Sequence, residues 1–405
     1  MVARIVCDVV VPKSMIAHPA RFGGTDTGAC LRGDLHIESS GRVHLQNSAF
    51  SATPRMVLPA LAEAHCHLDK CHSIFRMDNV GGDLLEAIER QRQDKANWTA
   101  DDLAARASRG LAEAQDAGCA ALRTHIDWGD TAEPPLAWTV INDLGLQSPM
   151  DVHCAALTGV TEMADESYCT AVARAVAQSN GALGAFIHGQ PEIAKALTNM
   201  FDAATRFGLP LDFHVDESLE DLNGVETVAD AAIACNFEGP ILCGHAVSLI
   251  RKTPADLSRI VDKLQKAGIT ICALPTTNLY LQGRIAGTPK DRGLTCLQEL
   301  RDAGVAISVA SDNVGDAFCP LGQHNPMAAL NLAALSAHLD PPFEDWLALI
   351  TTNASRAMGL DPLYVDSAPL SKLRISDAES TADLVAGRAP LLPLANAFLE
   401  FQPPK

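Results

Sequence analysis

Residues 58–72 read LPALAEAHCHLDKCH, a run that looks like a buried strand and ends abruptly in histidine, cysteine and charge. The same texture repeats downstream, where short apolar runs alternate with longer amphipathic ones, the pattern of repeated βα units. Candidate strands fall near 57–65, 119–126, 150–157, 182–188, 208–215, 240–245, 269–274 and 305–311. Between them lie helical stretches such as DLAARASRGLAEAQDAG, ESYCTAVARAVAQS and PADLSRIVDKLQKAG. Several end in glycine (Gly118, Gly268, Gly304), as helix C-termini often do. Eight strands, each followed by helix, predict an α/β fold of the (β/α)8 TIM-barrel type, with NPMAALNLAALSAHL and FEDWLALITTNASRAMGL as helices after the last strand.

Outside this region the texture changes. The first 57 residues hold short β-like runs broken by turns (ARIVCDVVV, GDLHIES, GRVHLQN), and the tail from 362 returns to short β-like pieces (DLVAG, NAFLEFQ). The expected organisation is a barrel over 58–361 and a small β-sandwich domain made from both chain ends, 1–57 plus 362–405. The 405-residue length suits that combination, and 47% hydrophobic with 20% charged residues allows a large core. Basic residues number 31 against 49 acidic ones, a net charge of −18 that disfavours nucleic acid and acidic membranes as partners and favours a neutral or cationic small molecule. No apolar run approaches the roughly 20 residues of a membrane span. Asp8 interrupts the one apolar stretch near the start, so no signal peptide is read there. Twelve cysteines without CxxC pairs read as reduced thiols of a cytoplasmic protein. Barrels of this kind often self-associate, although no interface signal stands out.

The thirteen histidines sort themselves by position. Singly, each reads as a hydrogen-bonded imidazole. Yet His65, His125, His188, His214 and His245 each sit at or near the end of a candidate strand, and His67 lies just beyond the first. In a barrel those ends meet at one rim, the face where such enzymes place their chemistry. His65 and His67 are two apart and so project from one face of a strand, able to share a cation. DFHVDES places His214 at the end of the fifth strand with Glu217 three residues on, and LCGHAVS ends the sixth with His245. SVASDNVGD puts Asp312 after an apolar run, where a carboxylate has no packing rationale and needs a charged partner. Together these signals predict a metal site. Cys66 should point away from it, and Cys71 has no base of fixed geometry beside it, so both read as packing residues.

HCHLDK, HVDE, GH and SDN at successive strand ends resemble the amidohydrolase superfamily and, within it, the cytosine deaminase group. LRTHID, TNLYLQGR with GTPKDRG, DNVGDAFCPLG and ITTNASRAMGL extend the resemblance over nearly the whole chain. It implies one divalent metal, Zn2+ or Fe2+, held by His65, His67, His214 and Asp312. It also implies Glu217 as proton shuttle, His245 as the group orienting water and the reacting centre, and Asp312 as acceptor of the water's proton. Members with two metals usually bridge them through a modified lysine at the end of strand four. Here that end reads GAFIHGQPE and Lys195 lies farther on, so a mononuclear centre is expected.

The implied chemistry is deamination of an amino-substituted N-heterocycle, with activated water attacking a C=N carbon, Glu217 protonating a ring nitrogen and ammonia leaving. The chain departs from cytosine deaminases where HCAALTGVTEM lacks their strand-three glutamine and where Asn313 replaces a second aspartate. These changes argue against cytosine itself. Replacement polar groups are His188, Gln190, Gln282 and Arg284, with Asn313, and Phe318 is placed to stack on a flat ring; loop-stabilising or core roles are equally open for these. Candidate rings are isocytosine, a pterin, a methylated cytosine, creatinine-like rings and aminotriazines, within nucleobase-type metabolism. Cyclic-amide hydrolysis or N-alkylamine removal from a triazine can use the same site, and a non-catalytic metal-binding barrel is a third class.

Overall fold

The eight candidate strands form one parallel sheet: Leu61–Cys66, Cys119–Asp127, Asp151–Gly159, Ala182–Ile187, Leu211–Val215, Ile241–His245, Ile269–Ala273 and Ala306–Val309, each paired with the next. This computed structural model describes residues 4–51, 53–78 and 80–398. A parallel bridge between Cys66 and Asp312, with the Asp312 N–H donating to the His65 carbonyl at 2.9 Å, brings the first and last strands together into a (β/α)8 barrel. Four of the strands are buried at every position, as expected where helices cover the outside and side chains fill the inside.

Local chemistry sets the helix ends. Thr99 accepts from the Asp102 N–H, Asp165 from Ser167 and Tyr168, and Thr253 from Asp256 just before Pro254, satisfying N–H groups that would otherwise lack partners. Gly268 ends its helix in the left-handed region at φ 65°, which glycine adopts without a Cβ penalty.

The run expected as a single strand near 57–65 is two strands. Arg55–Pro59 belongs to a second sheet and Leu61–Cys66 to the barrel. Pro59 has no N–H to continue a ladder, and at Ala60 the chain turns its donor to the Lys372 carbonyl at 2.8 Å before entering the barrel. The second sheet has seven strands drawn from both chain ends: Arg4–Pro12, Thr25–Asp26, Cys30–Ile37, Val43–Gln46 and Arg55–Pro59 with Leu373–Ser376 and Leu392–Pro393. Asp8 sits at φ 48° where the register slips between Val6 and Val9. Its carboxylate accepts from Arg32 Nε and Nη2 at 2.7 and 2.8 Å.

The DLVAG piece, expected as β-like, is helical over Thr381–Val385. Ser380 Oγ accepts the Asp383 N–H at 3.1 Å, so a serine cap with its helix outweighs the local apolar pattern. NAFLEFQ begins in a 3₁₀ turn, Leu394–Phe398, and its remainder lies outside the described residues. Among the described residues no helix is long and apolar enough to cross a membrane.

Candidate active site

Because the strands run parallel, their C-terminal ends deliver side chains to a single rim. His65 and His67 arrive from the first strand, His214 from the fifth, His245 from the sixth and Asp312 just past the eighth, and all five are buried. His214 Nε2 lies 3.2 Å from His65 Nε2 and 3.1 Å from His67 Nε2. Asp312 Oδ1 lies 3.2 Å from His67 Nε2 and 3.5 Å from His65 Nε2. Four donors about 2.0–2.1 Å from a tetrahedral ion stand roughly 3.4 Å apart, so these separations suit a common cation. Both Asp312 oxygens are buried without a hydrogen-bond partner although imidazole nitrogens stand close by, an arrangement too unfavourable for a carboxylate unless a cation joins it. Burial holds His67 and His214 below the ordinary imidazole range, and so in the neutral form a metal ligand requires. The residues present therefore fit a metal ion.

His125 belongs to the same cluster, with one ring nitrogen within 4.8 Å of nitrogens of His65, His67 and His214. Nδ1 lies 3.4 Å from the Cys66 carbonyl and Nε2 3.0 Å from Asp212 Oδ1, while Asp212 also takes Arg123 at 3.2 Å. This buried Arg123–Asp212–His125 line braces the floor beneath the donors. Glu63 ties the first strand to the eighth, its Oε2 accepting from Ser311 Oγ at 2.6 Å, one residue before Asp312. Gly244 leaves room for the ring, since a Cβ there would come within 2.8 Å of His65 Cε1. His245 and Asp312 both have positive φ, 68° and 63°, and such backbone outliers gather where side-chain aim matters more than local comfort.

Glu217 lies beside the cluster, with Oε2 3.5 Å from His245 Nε2. Burial, reinforced by the Asp312 charge, pushes its carboxyl well above the usual range. Asn278 Oδ1 lies 2.9 Å from His245 Nδ1 and fixes that ring, and burial lowers His245 to about 4. Gln282 Nε2 donates to the Glu217 carbonyl at 2.9 Å.

A cavity of about 320 Å³ opens onto His67, His214, Glu217 and His245. Leu84, Ile88, Trp128, Leu157, Phe186 and Phe318 supply its apolar walls, with Gln91, Lys70, Asp127, Thr158 and Asn313 among the polar groups. Lys70 is held by Asp127 at 2.6 Å. Asn313 donates Nδ2 to Asp316 at 2.8 Å, which orients its amide at the cavity edge. Gln91 is 2% exposed, and both its Nε2 and Oε1 are buried without a partner.

The residues expected from sequence divide accordingly. His65, His67, His214, Glu217, His245 and Asp312 converge, and Asn313 and Phe318 line the cavity. His188 and Gln190 do not line it: the Gln190 amide closes its own turn, accepting from His188 N–H at 2.7 Å and donating to the Phe186 carbonyl at 3.0 Å. Gln282 faces the Glu217 backbone, and Arg284 stacks on Tyr280. Lys195 lies in the helix Ile193–Phe207. Cys66 and Cys71 are buried and bonded to carbonyls at 3.4 Å, with burial pushing both thiols well above their ordinary range, the surroundings of packing residues. Sequence reasoning missed Gln91, Asn278 and the Arg123–Asp212 pair. Only the last carried a signal, since Arg123 and Asp212 each precede a rim histidine by two residues on a strand and so share its face.

The amidohydrolase family model matches residues 142–363. A pterin deaminase from Rhizobium rhizogenes is 33% identical over 309 residues, covering 75% of this chain and 70% of that protein. Among solved structures, a 5-methylcytosine deaminase from Klebsiella pneumoniae liganded with phosphonocytosine superposes with a TM-score of 0.80 at 24% identity, covering 96% of this chain and 95% of that one. An N-isopropylammelide isopropylaminohydrolase from Burkholderia multivorans gives a TM-score of 0.68 at 20% identity, covering 96% and 97%. At these identities the two structures establish a shared fold. With more than half of its length matched by the family model and the pterin deaminase related over most of both proteins, the chain belongs to the amidohydrolase family.

Proposed function

We propose that the protein is a metal-dependent aminohydrolase that releases ammonia from an amino-substituted N-heterocycle, with a pterin as the leading ring class. One observation carries the chemistry: a doubly unpartnered, buried Asp312 carboxylate stands 3.5 and 3.2 Å from His65 and His67 Nε2, with His214 against those two nitrogens and Glu217 beside His245 at an apolar cavity. His65, His67, His214 and Asp312 would hold one divalent ion, zinc or iron. Such an ion supplies Lewis acidity and lowers the pKa of water in an open position towards 7.

The protein's own groups do the rest. Asp312 keeps a second oxygen able to accept a proton. Glu217 Oε2, its carboxyl raised by burial, can carry a proton to a ring nitrogen of the amidine and then to the departing amine. His245, anchored through Nδ1, presents Nε2 towards the same place. Trp128, Phe186 and Phe318 suit a flat ring and keep bulk water away. The Gln91 amide offers one donor and one acceptor side by side, complementary to the N–H and C=O edge of a pyrimidinone ring.

The 33% identity to a pterin deaminase supports a pterin over cytosine, as does the absence of glutamine from HCAALTGVTEM. Twelve free cysteines support a reducing, cytoplasmic setting. The test is ammonia release by metal-loaded protein across pterin, isocytosine, 5-methylcytosine, cytosine and aminotriazines. Ammonia from pterin with the ring intact, lost in Glu217→Gln, is the expected result. Alkylamine release or ring opening without ammonia would overturn the reading.

A further inference from the structure

His72, the residue that closes the LPALAEAHCHLDKCH stretch, takes no part in the site above. It faces Glu113, on the helix Ala100–Asp116, with Nε2 3.2 Å from Oε1. Glu113 Oε2 in turn hydrogen-bonds Nδ1 of His324 at 3.1 Å and accepts its backbone N–H at 3.4 Å, just ahead of the helix Pro326–Ser336. The three residues form a donor cluster that shares no member with the rim cluster, and none of them lines the cavity.

We propose that His72, Glu113 and His324 form a second divalent-cation site of the zinc type, separate from the catalytic centre.

Three observations support it. Two imidazoles and a carboxylate are a common zinc ligand set, with room for solvent in the fourth position. Burial holds His72 down to about 4, so its ring is neutral, while Glu113 is anionic: burial, which opposes its ionisation, is outweighed by His324 and His72. His72 is 8% exposed, and its Nε2 is unpartnered despite lying 3.2 Å from a carboxylate oxygen. Asp312 stands in the same relation to His67 at the rim.

The surroundings are shaped to the cluster. His324 is fully buried, and Gly110 sits mid-helix where a Cβ would come within 2.9 Å of His324 Cε1. Glu113 is a quarter exposed, which gives an ion a route in. Arg109 contacts Glu113 Oε1 at 3.2 Å but is two-thirds exposed and free to swing into solvent. An ion there would pin three parts of the rim: the loop carrying His67 and Lys70, the helix, and the segment after Asp312. His72 N–H already bonds the Val314 carbonyl at 2.9 Å.

The test is metal content after equilibrium dialysis of the full chain against zinc, read by elemental analysis. Wild type should hold two equivalents per chain, and Glu113→Gln and His324→Gln one each. His67→Gln should also retain one, and His67→Gln/Glu113→Gln none. A wild type with one equivalent that His67→Gln abolishes and Glu113→Gln keeps would overturn the proposal, as would two equivalents undiminished in Glu113→Gln. If the variants fail to fold, zinc-edge anomalous scattering from wild-type crystals decides. A peak among His72 Nε2, His324 Nδ1 and Glu113 supports the site, and no peak at zinc concentrations that fill the rim cluster refutes it.

Discussion

Replacing Gln91 by methionine should make the protein more stable and the enzyme worse. Gln91 lies on the helix Leu84–Asp94, lines the cavity, and leaves both amide atoms buried and unpartnered. An unpartnered buried polar group costs about 1–3 kcal/mol, and an apolar group of the same shape removes that cost. Methionine is unbranched and close in volume, so Gln91→Met should gain roughly 1–2 kcal/mol after imperfect packing. For a chain of 405 residues, 1 kcal/mol shifts Tm by about 1 °C, so a rise of about 1–2 °C is expected. Activity should move the other way. Two neutral hydrogen bonds to the substrate are worth about 1–3 kcal/mol together, and their loss lowers kcat/KM roughly 5- to 150-fold.

The opposite signs are what make the experiment informative. A glutamine kept for structure would lose stability on substitution and leave kcat/KM alone. Differential scanning fluorimetry and steady-state ammonia release from pterin, with metal content measured on the same samples, read both quantities. A lowered Tm with kcat/KM unchanged would sink the assignment of Gln91 to substrate recognition.

Four further outcomes are expected. Glu217→Gln should lower kcat about 10²–10⁴-fold without changing metal content, and near-normal turnover would remove the proton shuttle from the scheme. Chelation should lower Tm and zinc should restore it; an ion present at a thousand times its Kd stabilises by about 4 kcal/mol, and an unmoved Tm would mean the Asp312 cluster is stable without a cation. Asn278→Leu removes the bond that anchors His245 Nδ1, so kcat should drop roughly tenfold, with an altered pH–rate profile and metal retained. Arg32 holds the Asp8 carboxyl well below the usual carboxylate range, so this pair's stabilisation is complete above about pH 4 and disappears as pH falls towards the depressed folded value. Asp8→Asn should therefore cost about 1.5–3 kcal/mol at neutral pH and flatten the acid limb of the stability curve; an unchanged acid limb would contradict that role.

What could be read from sequence follows from what fixes a side chain's position. Strand periodicity is local, and parallel strands in a barrel end at one face. His65, His214 and His245, at the ends of apolar runs, are therefore legible as a cluster from sequence. The same rule reaches Asp212 and Arg123, each a charge in an otherwise apolar run two residues ahead of a rim histidine. Where the structure departs from the sequence pattern, a competing local interaction wins. Pro59 breaks a continuous apolar run into strands of two different sheets, and the Ser380 cap turns DLVAG into a helix.

Gln91 and Asn278 are of another kind. They reach the site from two helices, Leu84–Asp94 and the Pro275–Leu281 helix after the seventh strand, and their orientation depends on how these segments fold back over the rim. Nothing local distinguishes a glutamine facing a cavity from one facing water. The reverse holds for Gln190, whose place beside a rim histidine suggested substrate contact while its amide closes a local turn. In the proposed function, reaction type is carried by groups on strand ends and ring selectivity by groups on the covering segments. A barrel can therefore announce hydrolysis at a metal centre from its sequence while the identity of the ring stays hidden until the covering helix is seen in place. For this chain that makes Gln91, more than any metal ligand, the residue whose substitution should change which heterocycle is accepted.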